Sequence, residues 1–150
     1  MRVLLAIDDS KFSEAATKAV IQQMRPEQTE VCVFHVVEPP LLIASYYEGE
    51  IGTLAGAERQ WHERAKNLVK TAEQLLSKAG FKVQTAVAEG DARSAIIDHA
   101  SKWKADMIVV GSQGRKGLVR FLMGSVAEYV ARHAPCTVSI VRIPQVAERS

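Results

Sequence analysis

Scarcities bound this 150-residue chain before any motif does. It has two cysteines, five prolines and 6% aromatic residues, and no apolar run is long enough to cross a bilayer. Cys32 and Cys136 lie far apart inside apolar segments, with no CxxC spacing. That excludes a disulfide scaffold and a cysteine zinc site, and leaves two buried reduced thiols as the expectation. Charge of one sign is also scarce: 19 Lys+Arg against 17 Asp+Glu give a net charge of +2, without the basic stripe of a nucleic-acid protein. The five apolar residues after Met1-Arg2 are too few for a signal-peptide core, and acids follow at once. Neither a membrane nor a nucleic acid is expected as partner, and the expected location is cytoplasmic.

Motifs of several enzyme classes are missing as well. There is no GxxxxGK[ST], no GxGxxG after the first strand and no G-x-S-x-G elbow. The four histidines, His35, His62, His99 and His133, have no metal spacing with each other or with carboxylates, so no metal ligands are expected. His35, inside an apolar strand, reads as a hydrogen-bonded core histidine.

The apolar pattern that is present alternates between two periods. Residues 2–8 (RVLLAID), 30–37 (EVCVFHVV) and 106–111 (DMIVVG) read as buried strands. Residues 81–88 (FKVQTAVA) alternate like a strand with one wetter face, as at a sheet edge, and 137–142 (TVSIVR) form a last strand. Helical spacing covers 13–24, with Ser10 or Ser13 as N-cap, and 57–79, with a stripe from Trp61 through Ala65, Leu68, Val69, Ala72, Leu75 and Leu76 to Ala79. Gly80 stops that helix. Asp91 is a plausible N-cap for a helix through Ala100, and a further helix runs over 125–133. Residues 41–56 have no clean period and read as a long loop, in which Tyr46 and Tyr47 either cover a ligand or fold over the sheet edge. The β-α alternation demands parallel strands joined by right-handed crossovers. The expectation is one domain over 1–150, an open doubly wound α/β sheet with a loose tail at 144–150.

In such a sheet, ligands bind beyond the carboxyl ends of the strands. Gly111 and Gly114 follow the fourth strand directly. Gly124 and Ser125 then open the last helix, where Ser125-Val126-Ala127-Glu128 matches the S-x-x-E capping box. Glycines admit a ligand close to the backbone, and a helix N-terminus offers N–H groups and a positive dipole end to phosphate. Asp8 and Asp9 are either ligands at this edge or caps of the first helix. Arg115, Lys116 and Arg120 bias the loop electrostatically, and Gly117 reads as loop flexibility.

The spacing of these residues, G-x2-G-x9-G-S, resembles the ATP-binding pattern of the universal stress protein family. So do "AIDDS" at the end of the first strand, "VFHVVE" on the second, and "MGSVAEYVARHAPCTVSIV" at the end. The resemblance spans nearly the whole chain and implies a Rossmann-like five-strand sheet in the order 3-2-1-4-5 with four helices. It implies Asp8 against the adenosine part of the nucleotide and Val36 in the adenine pocket. Val110, Gly111 and Gly114 would hold ribose and phosphates. Gly124, Ser125 and Val126 would bind phosphates through N–H groups and the serine hydroxyl, although capping competes for that hydroxyl. Gln113 stands where family members more often carry His or Arg, which leaves it a secondary candidate ligand. The implied cofactor is ATP, or AMP or ADP, with Mg2+ carried by the phosphates. The implied assembly is a homodimer paired through the last strand at Val138 and Ile140. No catalytic residue stands out, so any hydrolysis is expected to be slow. The alternatives are a phosphoryl- or adenylyl-transfer enzyme using the same cradle, and a nucleotide-free interaction protein.

Overall fold

Five parallel strands lie in the order β3-β2-β1-β4-β5 in the computed structural model, which describes residues 1–38, 51–114 and 122–143. The strands are β1 (Arg2–Ala6), β2 (Glu30–Val37), β3 (Lys82–Glu89), β4 (Met107–Gly111) and β5 (Thr137–Val141). Four helices connect them: α1 (Lys11–Gln23), α2 (Ile51–Lys78), α3 (Ala92–Trp103) and α4 (Ser125–His133). A single 3-10 turn, Pro26–Gln28, lies between α1 and β2. The expected doubly wound sheet, its order and its helix count are all present.

Alternation along the strands divides the core into two layers. Val3, Leu5, Val31, Val33 and Val109 face α1 and α2, where they meet Ala16, Val20, Val69, Ala72 and Leu76. Leu4, Cys32, Phe34, Ile108 and Val110 face α3 and α4, against Ile96, Ala100, Ala127 and Val130. Helices on both faces are what make the central strands near-continuous apolar runs. Edge strand β3 is the wetter one, as its alternation predicts, with Val87 exposed.

Boundaries differ where local signals mislead. Helix α2 begins at Ile51, so the last residues of the expected 41–56 loop are helical; residues 39–50, with Tyr46 and Tyr47, lie outside the described residues. That stretch has no clean apolar period to mark a helix, and its isolated Gly52 and Gly56 weaken a helix without preventing one. The expected stripe on α2 buries Ala65, Val69, Ala72 and Leu76, while Leu75 stays half-exposed on the solvent side. Gly80, at φ +96°, closes α2 as predicted: its N–H donates to Ser77 O at 3.0 Å, and Phe81 N–H to Leu76 O at 3.1 Å.

Asp91 holds the N-cap position of α3, yet its side chain makes no capping bond. The first helical amide, Ala92 N–H, donates instead to Glu38 Oε1 at 2.6 Å, from the end of β2. Asp91 is occupied by Arg93 and Ser94. Desolvation pushes its carboxyl up, but the Arg93 charge and the hydrogen bonds from Arg93 and Ser94 together outweigh it and hold the carboxyl below the usual range.

Both cysteines are free thiols; Cys32 is fully buried, whereas Cys136 is half-buried. Burial pushes the Cys32 thiol up to about 11, with Glu30 adding to the rise and a hydrogen bond from Gln84 opposing it. His99 of α3 stacks on Phe34 at 4.4 Å and brings Nε2 to 3.6 Å from Cys32 Sγ.

Candidate functional site

The carboxyl ends of β1 and β4, adjacent in the sheet, converge with the N-termini of α1 and α4. This is where the strand order reverses. Asp8 is pinned by its own turn. Its N–H donates to Ser13 Oγ at 2.7 Å, while Oδ1 accepts from Ser13 Oγ and Ser10 N–H, each at 2.9 Å. Ser10 is the N-cap of α1 and accepts from Ser13 N–H at 3.3 Å. Asp8 therefore braces the start of α1 and also presents its second oxygen to the crevice. From β2, His35 Nδ1 donates to Ile7 O at 2.7 Å, fixing the residue before Asp8; His35 is the expected hydrogen-bonded core histidine.

The glycines meet this turn at van der Waals limits. A Cβ on Gly111 would fall 2.7 Å from Phe12 Cβ and 2.9 Å from the Phe12 carbonyl. One on Gly114 would fall 2.8 Å from Asp8 Oδ2, and one on Gly124 would fall 3.0 Å from Gln113 Cα. Gly111 lets α1 close onto β4, Gly114 keeps the space beside Asp8 open, and Gly124 lets α4 start against the β4 loop. Three glycines from one short stretch of chain thus serve one junction.

Ser112 ties that junction to the neighbouring strand. It is buried; its N–H donates to Val141 O at 2.8 Å, and its carbonyl accepts Gly124 N–H at 2.7 Å. This bond corrects two expectations. The Gly124 N–H is already engaged, so Gly124 contributes shape at the cradle rather than a donor. The N-cap of α4 is Gly124, not Ser125; the first intrahelical bond is Glu128 N–H to Gly124 O at 3.0 Å. The capping box does not form, because Ser125 already lies inside the helix and Glu128 pairs with Arg132 at 2.9 Å. Ser125, the first helical residue, is exposed. The amides of Ser125, Val126 and Ala127 precede the first donor of the helical ladder, Glu128 N–H, and are the donors that the positive end presents.

The remaining candidates divide. Val36 and Val110 have buried side chains in the α3/α4 layer, so at the strand ends they offer backbone groups. Gln113 sits at the crevice with its Nε2 donating to Leu122 O at 2.9 Å. Arg115, Lys116, Gly117 and Arg120 lie outside the described residues. Ser13 and Glu38 are the supporting residues at this edge that the sequence pattern does not assign to it. Only Ser13 had a local signal, the D-x-S-x-x-S spacing from Asp8. Among the described residues no three His, Cys, Asp or Glu side chains gather as a metal site, and no helix is long and apolar enough to cross a membrane.

At the opposite, amino edge lies an open groove of about 570 Å3, lined among others by Arg2, Glu27, Lys82, Lys104 and Asp106. Its charges are mixed. Arg2 is committed to Trp103 O at 2.8 Å, and Asp106 to Arg2 N–H at 2.7 Å.

The model of the universal stress protein family matches residues 1–142. The chain belongs to this family. Universal stress protein MJ0531 of Methanocaldococcus jannaschii is 35% identical over 147 residues, 96% of this chain and 83% of that one. Hypothetical protein MJ0577 has a solved structure that matches with a TM-score of 0.81 at 29% identity, covering 95% of this chain and 96% of the other. A universal stress protein family protein from Arabidopsis thaliana, solved with AMP bound, matches in fold with a TM-score of 0.72 at 15% identity, over 97% and 93% of the two chains. The junction of β1, β4 and α4 is thus set in a universal stress protein frame along nearly its whole length.

Proposed function

We propose that this universal stress protein binds an adenine nucleotide, ATP or its mono- or diphosphate, across the carboxyl edge between β1 and β4. The observation that carries the reading is the meeting of Gly114, Asp8 and the free end of α4 at one crevice. The amides of Ser125 and Val126, with the Ser125 hydroxyl, suit phosphate. Asp8 Oδ2, an acceptor only, suits a ribose hydroxyl or the adenine amine. Mg2+ would arrive with the phosphates. The AMP bound by the Arabidopsis relative supports the same ligand class.

The reading is of a binding module in stress adaptation or signalling, and turnover of ATP with an acceptor substrate would instead favour a transferase. The assembly is a homodimer through β5. That strand is an uncharged edge, TVSIV, whereas β3 ends in Lys82 and Glu89. Denaturing the purified protein and chromatographing what it releases tests the nucleotide: AMP, ADP or ATP is expected. Gly114→Val should abolish binding and leave the fold intact. Unchanged affinity in that variant would remove the loop from the site.

A further inference from the structure

We propose that Gln113 is a positioning residue for α4 and not a nucleotide ligand, a refinement that rests on the nucleotide reading of this edge. Two rungs join the β4 loop to the start of the helix. One is backbone to backbone, Gly124 N–H to Ser112 O at 2.7 Å. The other is the carboxamide of Gln113, whose Nε2 donates to Leu122 O at 2.9 Å, nine residues further on. The Cβ that Gly124 lacks would lie 3.0 Å from Gln113 Cα, so the two segments already touch.

Apolar burial does little to hold this lead-in to α4. Leu122 is 65% exposed, Met123 is 38% exposed, and Gly124 has no side chain to bury. Polar rungs must carry the register. The backbone rung is available to any sequence, but the second needs a donor at the reach of a glutamine side chain. Ser112, anchored to Val141 O, transmits that register from the sheet. Displacing the N-terminus of α4 would misdirect the amides of Ser125 and Val126, which bind only if they converge on one phosphate.

The test compares Gln113→Met, which keeps length without a donor or a charge, with the wild-type chain. Amide exchange of Gly124 is followed by NMR in unliganded protein, and Kd is measured by calorimetry for ATP and for adenosine. Loss of one hydrogen bond should speed Gly124 exchange by roughly three- to tenfold and raise the Kd for ATP by a similar factor. The Kd for adenosine should stay within about twofold, since it has no phosphate for α4 to hold. A rise for adenosine equal to that for ATP, or a rise for ATP with Gly124 exchange unchanged, would make Gln113 a direct ligand and overturn the proposal. If wild-type protein binds no ATP, the functional reading fails by itself. The exchange comparison then decides alone: faster exchange upholds the positioning role, and unchanged exchange overturns it.

Discussion

Gly111 shows how one missing side chain serves fold and site together. The backbone of Phe12 occupies the place where a Cβ would go, at 2.9 Å, and backbone cannot step aside as a flexible side chain can. Gly111→Ala should therefore cost about 1–3 kcal/mol in overpacking, read as a lower urea midpoint with an unchanged slope. An unchanged midpoint would contradict the packing account. This residue was legible in the sequence as part of a spacing pattern, but only the structure shows that its closest neighbour is α1. Ser125 is the converse case. Its S-x-x-E pattern is satisfied in letters, yet the N-cap is Gly124, whose N–H goes to Ser112 O, and Ser125 is already the first helical residue.

At the scale of elements, the N-terminus of α3 depends on a residue 54 positions away. Glu38 Oε1 accepts the Ala92 N–H, so Glu38→Ala should cost about 1 kcal/mol, within the range of lost helix caps, by urea denaturation. A cost near zero would mean that water replaces the carboxylate without penalty. Sequence reading placed the cap at Asp91 because capping rules are local, and no local rule reports a partner from another strand.

The β2–α3 contact also carries a pH dependence. Burial depresses the pKa of His99, with Lys102 adding to the effect, so the folded protein holds this ring neutral more strongly than the unfolded chain does. The unfolded chain takes up the proton first, at about 6.5. The contribution is therefore fully present above that pH, declines as pH falls toward the lower folded value, and is flat below it. Stability curves between pH 7.5 and 5 should show a decline that His99→Phe, which keeps a ring to stack on Phe34, reduces. A variant with the same slope as wild type would exclude His99 as its source.

For the whole molecule, the sequence disclosed the sheet because doubly wound packing leaves a strong periodic trace: buried strands are continuous apolar runs, and an edge strand alternates. The same physics bears on assembly. Strand β5 turns Val138 and Ile140 toward the α3/α4 layer and leaves an uncharged edge open among the described residues. A second copy pairing there should give a mass twice the 16.5 kDa chain by light scattering at micromolar concentration. Ile140→Lys should shift it toward monomer. A wild-type monomer would contradict the β5 interface, though it would leave the carboxyl-edge site untouched.

That site is the central claim, and titration of nucleotide-free protein with AMP, followed residue by residue by NMR, tests it most directly. The account predicts saturable shifts concentrated on the amides of Asp8, Gly114, Ser125 and Val126, with the residues of the amino-edge groove, Arg2, Lys82 and Lys104, unmoved. Shifts confined to that groove, or no saturable shifts at millimolar AMP, would contradict it.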